Sequence, residues 1–407
     1  MRERALHAIA ECRHLATMTE EPGKITRRFL TPPVHDVHAY LGAHMKAMGM
    51  RTRVDAAGNL RGLWRPPGAN GKRLILGSHI DTVPDAGAYD GILGVSLAME
   101  LVGVAKDIAL PLAIEVIAFS EEEGVRFGVP FIGSRAVAGC FDSSLLALTD
   151  VNGTTMETAI REFGLDPGEI DAAALDDESL GFLEIHIEQG PVLESEGLSV
   201  AAVTGIVGQS RLKVDFIGQA NHAGTTPMHL RRDALAGAAE WIVEVERQAL
   251  DTEGLLATVG KIVTTPNAGN VIAGREQLIL DVRHHHDRAR LDAVDSLLNA
   301  ANAIAERRKL TLQATCTLNQ PAVSMDEQLT AYLSESMEAE GLPAKQMPSG
   351  AGHDAMVMAG RLPSAMLFLR SPGGISHNPA ESVREEDVEA ALRVGRKLLG
   401  RVAAEVR

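Results

Sequence analysis

Arg73-Leu74-Ile75-Leu76-Gly77-Ser78-His79, the small-residue-rich run 91–104, and Leu112-Ala113-Ile114-Glu115-Val116-Ile117-Ala118-Phe119 together decide the fold. The first and third segments are almost continuously apolar, as in strands buried on both faces. The middle run carries apolar side chains at helical spacing. Strand, helix, strand of this kind predicts a mostly parallel sheet covered by helices. Ligands of such sheets bind beyond the carboxyl ends of the strands. His79 stands at one such end and Glu121-Glu122-Glu123 at the other.

The same alternation extends on either side. A helix is predicted over 34–48, behind Pro32 and Pro33, where a helix can start. Strands follow at 52–55 and 60–64, separated by the turn Ala57-Gly58-Asn59. Residues 141–180 are acidic, with loop and helix character, and α/β patterning returns with a strand at 363–369 and a helix at 385–401. Near residue 206 the style changes. Arg211 to Gly218 alternates polar and apolar residues, the pattern of a half-exposed antiparallel strand. A helix at 232–246, strands at 255–263 and 276–283, a helix at 289–307 and a strand at 311–318 follow. This β-α-β-β-α-β order predicts an inserted α+β, ferredoxin-like lid over 208–320. The expected fold is therefore α/β, with a mostly parallel sheet flanked by helices and built from 1–207 and 321–407.

Composition excludes several classes of function. A chain of 407 residues exceeds what one core supports, in keeping with two domains. Aromatics make up 3%, too few for base-stacking platforms, and the net charge of −15 disfavours a polyanionic partner, so no nucleic acid is expected. No run approaches the ~18 apolar residues of a membrane span. The first 18 residues read as an amphipathic helix without the apolar core of a signal peptide. Cys12, Cys140 and Cys316 are dispersed and odd in number, which argues against a disulfide framework and for a reducing, cytoplasmic setting.

The chemistry lies in acids and histidines at strand ends and glycine loops. His79 is followed by Asp81, a carboxylate placed to orient its ring. Asp90 precedes Gly91 at a helix start, where the bland role is an N-cap. Glu122 and Glu123 end a buried strand, and paired carboxylates there can divide labour between holding a metal and taking a proton. His186 lies in an apolar run, where a core histidine is the ordinary reading. His377 lies in Gly373-Gly374-Ile375-Ser376-His377, where a core role is less natural. All are ligands for a borderline metal such as zinc. His284-His285-His286 reads as a solvated turn.

In register along almost the whole chain, these motifs resemble the dinuclear-zinc aminoacylase/carboxypeptidase superfamily, and within it the hydantoinase/carbamoylase amidases. The segment His186-Ile187-Glu188-Gln189-Gly190 is the most telling, because peptidase relatives usually carry a carboxylate where His186 stands. The resemblance implies one metal on His79, Asp90 and His186 and another on Asp90, Glu123 and His377, with Asp90 bridging. It implies Glu122 as general base and His222 as the group that stabilises the oxyanion. Gln189, Asn270, Arg283, Gly373 and Gly374 are implied substrate contacts, Arg283 gripping a carboxylate. Two divalent ions are implied, zinc by default, with manganese, cobalt or nickel as replacements. A homodimer through the lid is implied as well. The implied reaction is hydrolysis of a linear ureido or N-carbamoyl acid, allantoate or an N-carbamoyl-L-amino acid, with release of ammonia and carbon dioxide. An aminoacylase or peptidase is the competing reading, opposed by His186 and Gln189. A non-catalytic binding module is opposed by Glu122. His353 and Asp354 also fit the family, as supporting or structural residues.

Overall fold

The structure is a computed structural model describing residues 1–69 and 71–405. It divides into two compact units, residues 1–204 with 324–407, and residues 205–323.

The first unit is built on a nine-stranded sheet. At its centre Ala113–Phe119, Arg73–His79, Ser179–Ile187 and Ser364–Leu369 lie side by side, all parallel. Every residue of Arg73–His79, Ala113–Phe119 and Ser364–Leu369 is buried, which is why these segments show no polar alternation. The flanks are antiparallel: Leu60–Trp64 and Arg51–Val54 on one side, Val200–Ile206 on the other. The helix Pro32–Ala47 takes its two prolines into its first turn, where their missing N–H groups cost nothing.

The helix Ile92–Asp107 is buried almost all round, because Arg2–Leu15 and Glu385–Glu405 pack over it. It sits so close to the sheet that a side chain at Gly94 would begin 2.2 Å from the Ile185 carbonyl and 2.7 Å from Ser78 Cβ. Glycine here sets the depth of the helix, and with it the position of Asp90 just ahead. Beyond the last parallel strand, the Arg370 guanidinium donates to both oxygens of Asp387 at 2.8 and 2.6 Å, a buried two-pronged pair tying the strand end to the closing helix.

The second unit has a four-stranded antiparallel sheet in the order Thr311–Gln320, Gly208–Ile217, Arg275–His284, Leu256–Thr265. Helices Ala234–Asp251 and Asp287–Arg307 supply Trp241 and Leu297 to a core shared with Leu212, Phe216, Leu278 and Leu280 from the strands. The Trp241 indole donates to the Leu297 carbonyl at 2.8 Å, so its one polar atom is satisfied inside. The histidine run is only partly a solvated turn. His285 and His286 are exposed, but His284 is buried and its Nδ1 accepts from the His286 amide at 2.8 Å. No described helix is long and apolar enough to cross a membrane.

Gly94→Ala is expected to destabilise the first unit by about 3 kcal/mol, because the new methyl meets backbone that cannot step aside. Urea unfolding measures this. A midpoint indistinguishable from wild type would show that the helix does not lie this deep.

Candidate metal centre

Four parallel strands end at one rim, and the loops leaving them bring the candidate ligands together. His79 is the last residue of its strand, Glu122 and Glu123 follow Ala113–Phe119, His186 is the last residue but one of Ser179–Ile187, and His377 is on the loop after Ser364–Leu369. Asp90 enters from the loop ahead of the buried helix. It does not cap that helix. Gly91 is the N-cap residue, at φ 68°, and a Cβ there would strike the His79 ring at 2.5 Å.

The rings of His79 and His186 are fixed by their backbones. Each Nδ1 lies against a carbonyl, that of Asp81 at 3.0 Å and that of Ile187 at 2.8 Å. Nδ1–H therefore donates outward, and each Nε2 turns its lone pair inward. The two Nε2 atoms stand 3.4 Å apart, and 3.5 and 3.2 Å from Asp90 Oδ1. That oxygen is buried and accepts no hydrogen bond. Two imidazole nitrogens and a carboxylate oxygen converging on one point fit a cation. The other Asp90 oxygen, Oδ2, lies 3.2 Å from His377 Nε2, which is 3.3 Å from Glu123 Oε1. One carboxylate thus offers an oxygen to each of two donor sets. Glu122 groups with His79 and Glu123 and stands outside both sets containing Asp90.

The electrostatics say the same. Burial alone would raise the Asp90 pKa, but His186, His377 and His79 hold it well below the usual carboxylate range. Asp90 and then Glu123 raise the His377 imidazole to about 10. Burial opposes charge on His79 and His186, yet Asp81 and Asp90 push the first up strongly and Asp90 pushes up the second. Burial, with Glu123, Asp354 and Asp81 adding to it, raises the Glu122 carboxyl well above its ordinary value against the opposing pull of His79.

The Asp81 carbonyl holds the His79 ring, and the Asp81 carboxylate, 3.6 Å from Nδ1, turns to the neighbouring loop. Its two oxygens accept the Glu122 and Glu123 amides at 3.0 Å each, locking the turn that presents both glutamates. The Gln189 side-chain Nε2 donates to Asp90 Oδ2 at 2.9 Å. A Cβ at Gly374 would stand 3.0 Å from the Pro191 nitrogen, and the Gly373 amide is engaged by Glu194 at 2.6 Å. His353 packs edge-on against His186 with centroids 4.5 Å apart, and its Nε2 meets Ser349 Oγ at 2.9 Å. Burial and His186 hold its pKa far down, so it braces His186 as a neutral ring. Sequence reading missed Glu184, which accepts from Ser78 Oγ and the Ala355 amide beneath the centre. It missed Glu381 too, which holds the Asp90 loop.

His222, Asn270 and Arg283 belong to the second unit. His222 pairs with Val271 in a two-residue antiparallel ladder, and the Ala223 amide donates to the Asn270 carbonyl at 2.9 Å. The His222 Nδ1 accepts from the Gly224 amide at 3.0 Å, which leaves Nε2 as the donor. Arg283 is not beside them. It pairs with Gln209, the second residue of Gly208–Ile217, whereas His222 follows that strand's far end. Eight strand residues, roughly 26 Å, separate the two ends. Asp281 accepts from Arg283 Nε at 2.8 Å and steadies its guanidinium.

The sequence pattern of Peptidase family M20/M25/M40 matches residues 75–401. Allantoate deiminase of Arabidopsis thaliana is 37% identical over 418 residues, covering 94% of this chain and 80% of that protein. N-carbamoyl-L-amino acid amidohydrolase of Geobacillus stearothermophilus is 35% identical over 375 residues, covering 91% and 92%. A crystal structure of an amidase of the hydantoinase/carbamoylase family from Burkholderia multivorans is similar at TM-score 0.92 and 31% identity, with 98% of each chain covered.

With His377 raised to about 10, the metal-free centre carries protons at neutral pH that an entering cation must expel. Zinc binding near pH 7.5 is expected to release about one proton or more per chain, and affinity should fall as pH falls. Calorimetry in buffers of different ionisation enthalpy reads this directly. Proton-neutral binding would contradict the arrangement.

Proposed function

The chain belongs to peptidase family M20/M25/M40, in its hydantoinase/carbamoylase branch, and from that premise we propose how its residues divide the work. It is a hydrolase of carbon–nitrogen bonds other than peptide bonds. We infer that its substrate is a linear ureido or N-carbamoyl acid, allantoate first and N-carbamoyl-L-amino acids next. The observation that carries this reading is the Asp90 carboxylate, one oxygen turned to His79 and His186 and the other to His377 and Glu123.

His79, Asp90 and His186 would hold one divalent ion, and Asp90, Glu123 and His377 a second, with zinc the natural choice for imidazole and carboxylate donors. Such ions supply Lewis acidity to the scissile carbonyl and make water a nucleophile near neutral pH. Glu122, buried and with a raised proton affinity, takes the proton of the attacking water. It then delivers that proton to the leaving nitrogen, and ammonia and carbon dioxide follow from the carbamoyl fragment. Asp81 keeps Glu122 in place through its amide. The Nε2–H of His222 donates to the oxyanion, and Asn270, Gln189 and the Gly373-Gly374 turn line the substrate. The Arg283 fork takes the substrate carboxylate in a two-pronged pair.

A ureido acid is far shorter than the span between His222 and Arg283, so the two cannot grip the same molecule from one chain. This supports a homodimer in which chains exchange these groups. Two further features favour it. Leu256–Thr265 is an edge strand exposing Leu256, Ile262 and Val263, and the helix packed beside it exposes Leu235, Val243 and Leu250. An unpaired strand edge next to an apolar helix face is a surface that a second copy covers. The three cysteines are free, in keeping with a cytoplasmic enzyme.

Ammonia release from zinc-loaded protein should occur with allantoate or N-carbamoyl-L-amino acids and not with N-acetyl amino acids or dipeptides. Activity confined to the latter would sink the substrate assignment. Glu122→Gln should bind metal normally and lose about 10³-fold in kcat. Co-expressed Glu122→Gln and His222→Ala chains, each inactive alone, should regain roughly a quarter of wild-type turnover, since half the dimers are mixed and each holds one intact centre. No recovery would mean that His222 serves its own chain.

A further inference from the structure

Glu381 lies four residues beyond His377, in His377-Asn378-Pro379-Ala380-Glu381, and is 6% exposed. One of its oxygens, Oε1, accepts the Tyr89 amide at 2.8 Å and the Asp90 amide at 3.1 Å. The other, Oε2, is 3.1 Å from Ser376 Oγ, and that hydroxyl lies 2.9 Å from Asp90 Oδ2. A single side chain thus grips the backbone on which Asp90 rides and, through Ser376, meets the Asp90 carboxylate from the loop that carries His377. The slot it fills is made by glycine: a Cβ at Gly87 would fall 2.3 Å from both Glu381 Cβ and Oε1.

These contacts decide which way Asp90 faces. The Asp90 loop comes from 85–91 and the His377 loop from 371–378, almost 300 residues apart in sequence, and they belong to different strand connections. Ser376 and Gln189 both reach Asp90 Oδ2, the oxygen on the His377 side. Glu381 fastens the Asp90 loop by its main-chain amides and reaches the His377 loop through the Ser376 hydroxyl.

We propose that Glu381 is a positioning residue for the metal centre, setting the register of Asp90 against His377 so that one carboxylate can serve both donor sets. It touches neither substrate nor the reacting atoms. The inference rests on the two-cation reading of the centre given under Proposed function. The Asp90, Glu123 and His377 set depends on both fastened loops, so it suffers more than the His79, Asp90 and His186 set when the fastening is lost.

Zinc stoichiometry and affinity, read by competition with a chromogenic chelator, test this without recourse to turnover. Glu381→Ala should weaken the second zinc about 10- to 100-fold. Glu381→Gln keeps an oxygen for the two amides and gains an NH₂ that can donate to Ser376, so it should stay close to wild type. Gly87→Ala, which crowds Glu381 from its slot, should reproduce the alanine phenotype and serves if Glu381→Ala does not fold. A purely structural role would lower the thermal midpoint and leave both zinc constants where they are. That result, or a glutamine variant as weak as the alanine one, overturns the proposal. Wild-type protein that binds fewer than two zinc ions per chain overturns the two-cation reading and this inference with it.

Discussion

The Asp90 carboxylate is buried with three imidazole nitrogens at 3.2 to 3.5 Å. A carboxylate taken out of water is costly unless positive charge accompanies it. Here that charge is a proton on each ring or a metal between them, and the rest of the first unit arranges the choice. Gly91 and Gly94 let the helix behind Asp90 sink against the sheet. The carbonyls of Asp81 and Ile187 settle which nitrogen each ring turns inward. Asp81, Glu184 and Glu381 act on main-chain amides around the centre, so the geometry rests on backbone fixed by carboxylates more than on packing of the ligands.

Backbone strain gathers in the same place. Glu121, Gln189 and His377 have φ of 48°, 59° and 52°, left-handed conformations that non-glycine residues avoid. Each costs of order 1 kcal/mol or more and persists only where its surroundings insist. The insistence is visible. Glu121 accepts the Arg126 amide through its own carboxylate, and the Gln189 amide is held by Ser371 Oγ. A sharp turn directly after a buried strand is what brings a side chain back over the sheet's rim instead of away from it.

Much of this could be read from the chain because acids and histidines at strand ends announce themselves. An uninterrupted apolar run needs no histidine or glutamate at its close, so His79 and Glu122 stand out against the segments they end. The antiparallel flanks of the sheet were not legible, since nothing local in Leu60–Trp64 records that it lies beside Ala113–Phe119. The antiparallel pairing of Asn221–His222 with Val271–Ile272 is too short for any periodicity to show. Glu381 was hidden for a different reason. A glutamate after proline and alanine in a loop reads as solvated, and its burial depends on a glycine 294 positions earlier leaving it room. The separation of Arg283 from His222 required strand register, which turned a single list of substrate contacts into two.

The insertion of residues 205–323 within the first unit bears on how the protein is made. Translation delivers the second unit as one unbroken stretch, free to fold as soon as it leaves the ribosome. The first unit must wait. Until Ser364–Leu369 arrives, Ser179–Ile187 has one flank of its ladder bare, and that strand carries His186. The early half of the enzyme is therefore synthesised as an aggregation-prone sheet edge, kept open through more than a hundred codons, and it is closed only by the segment that also brings His377.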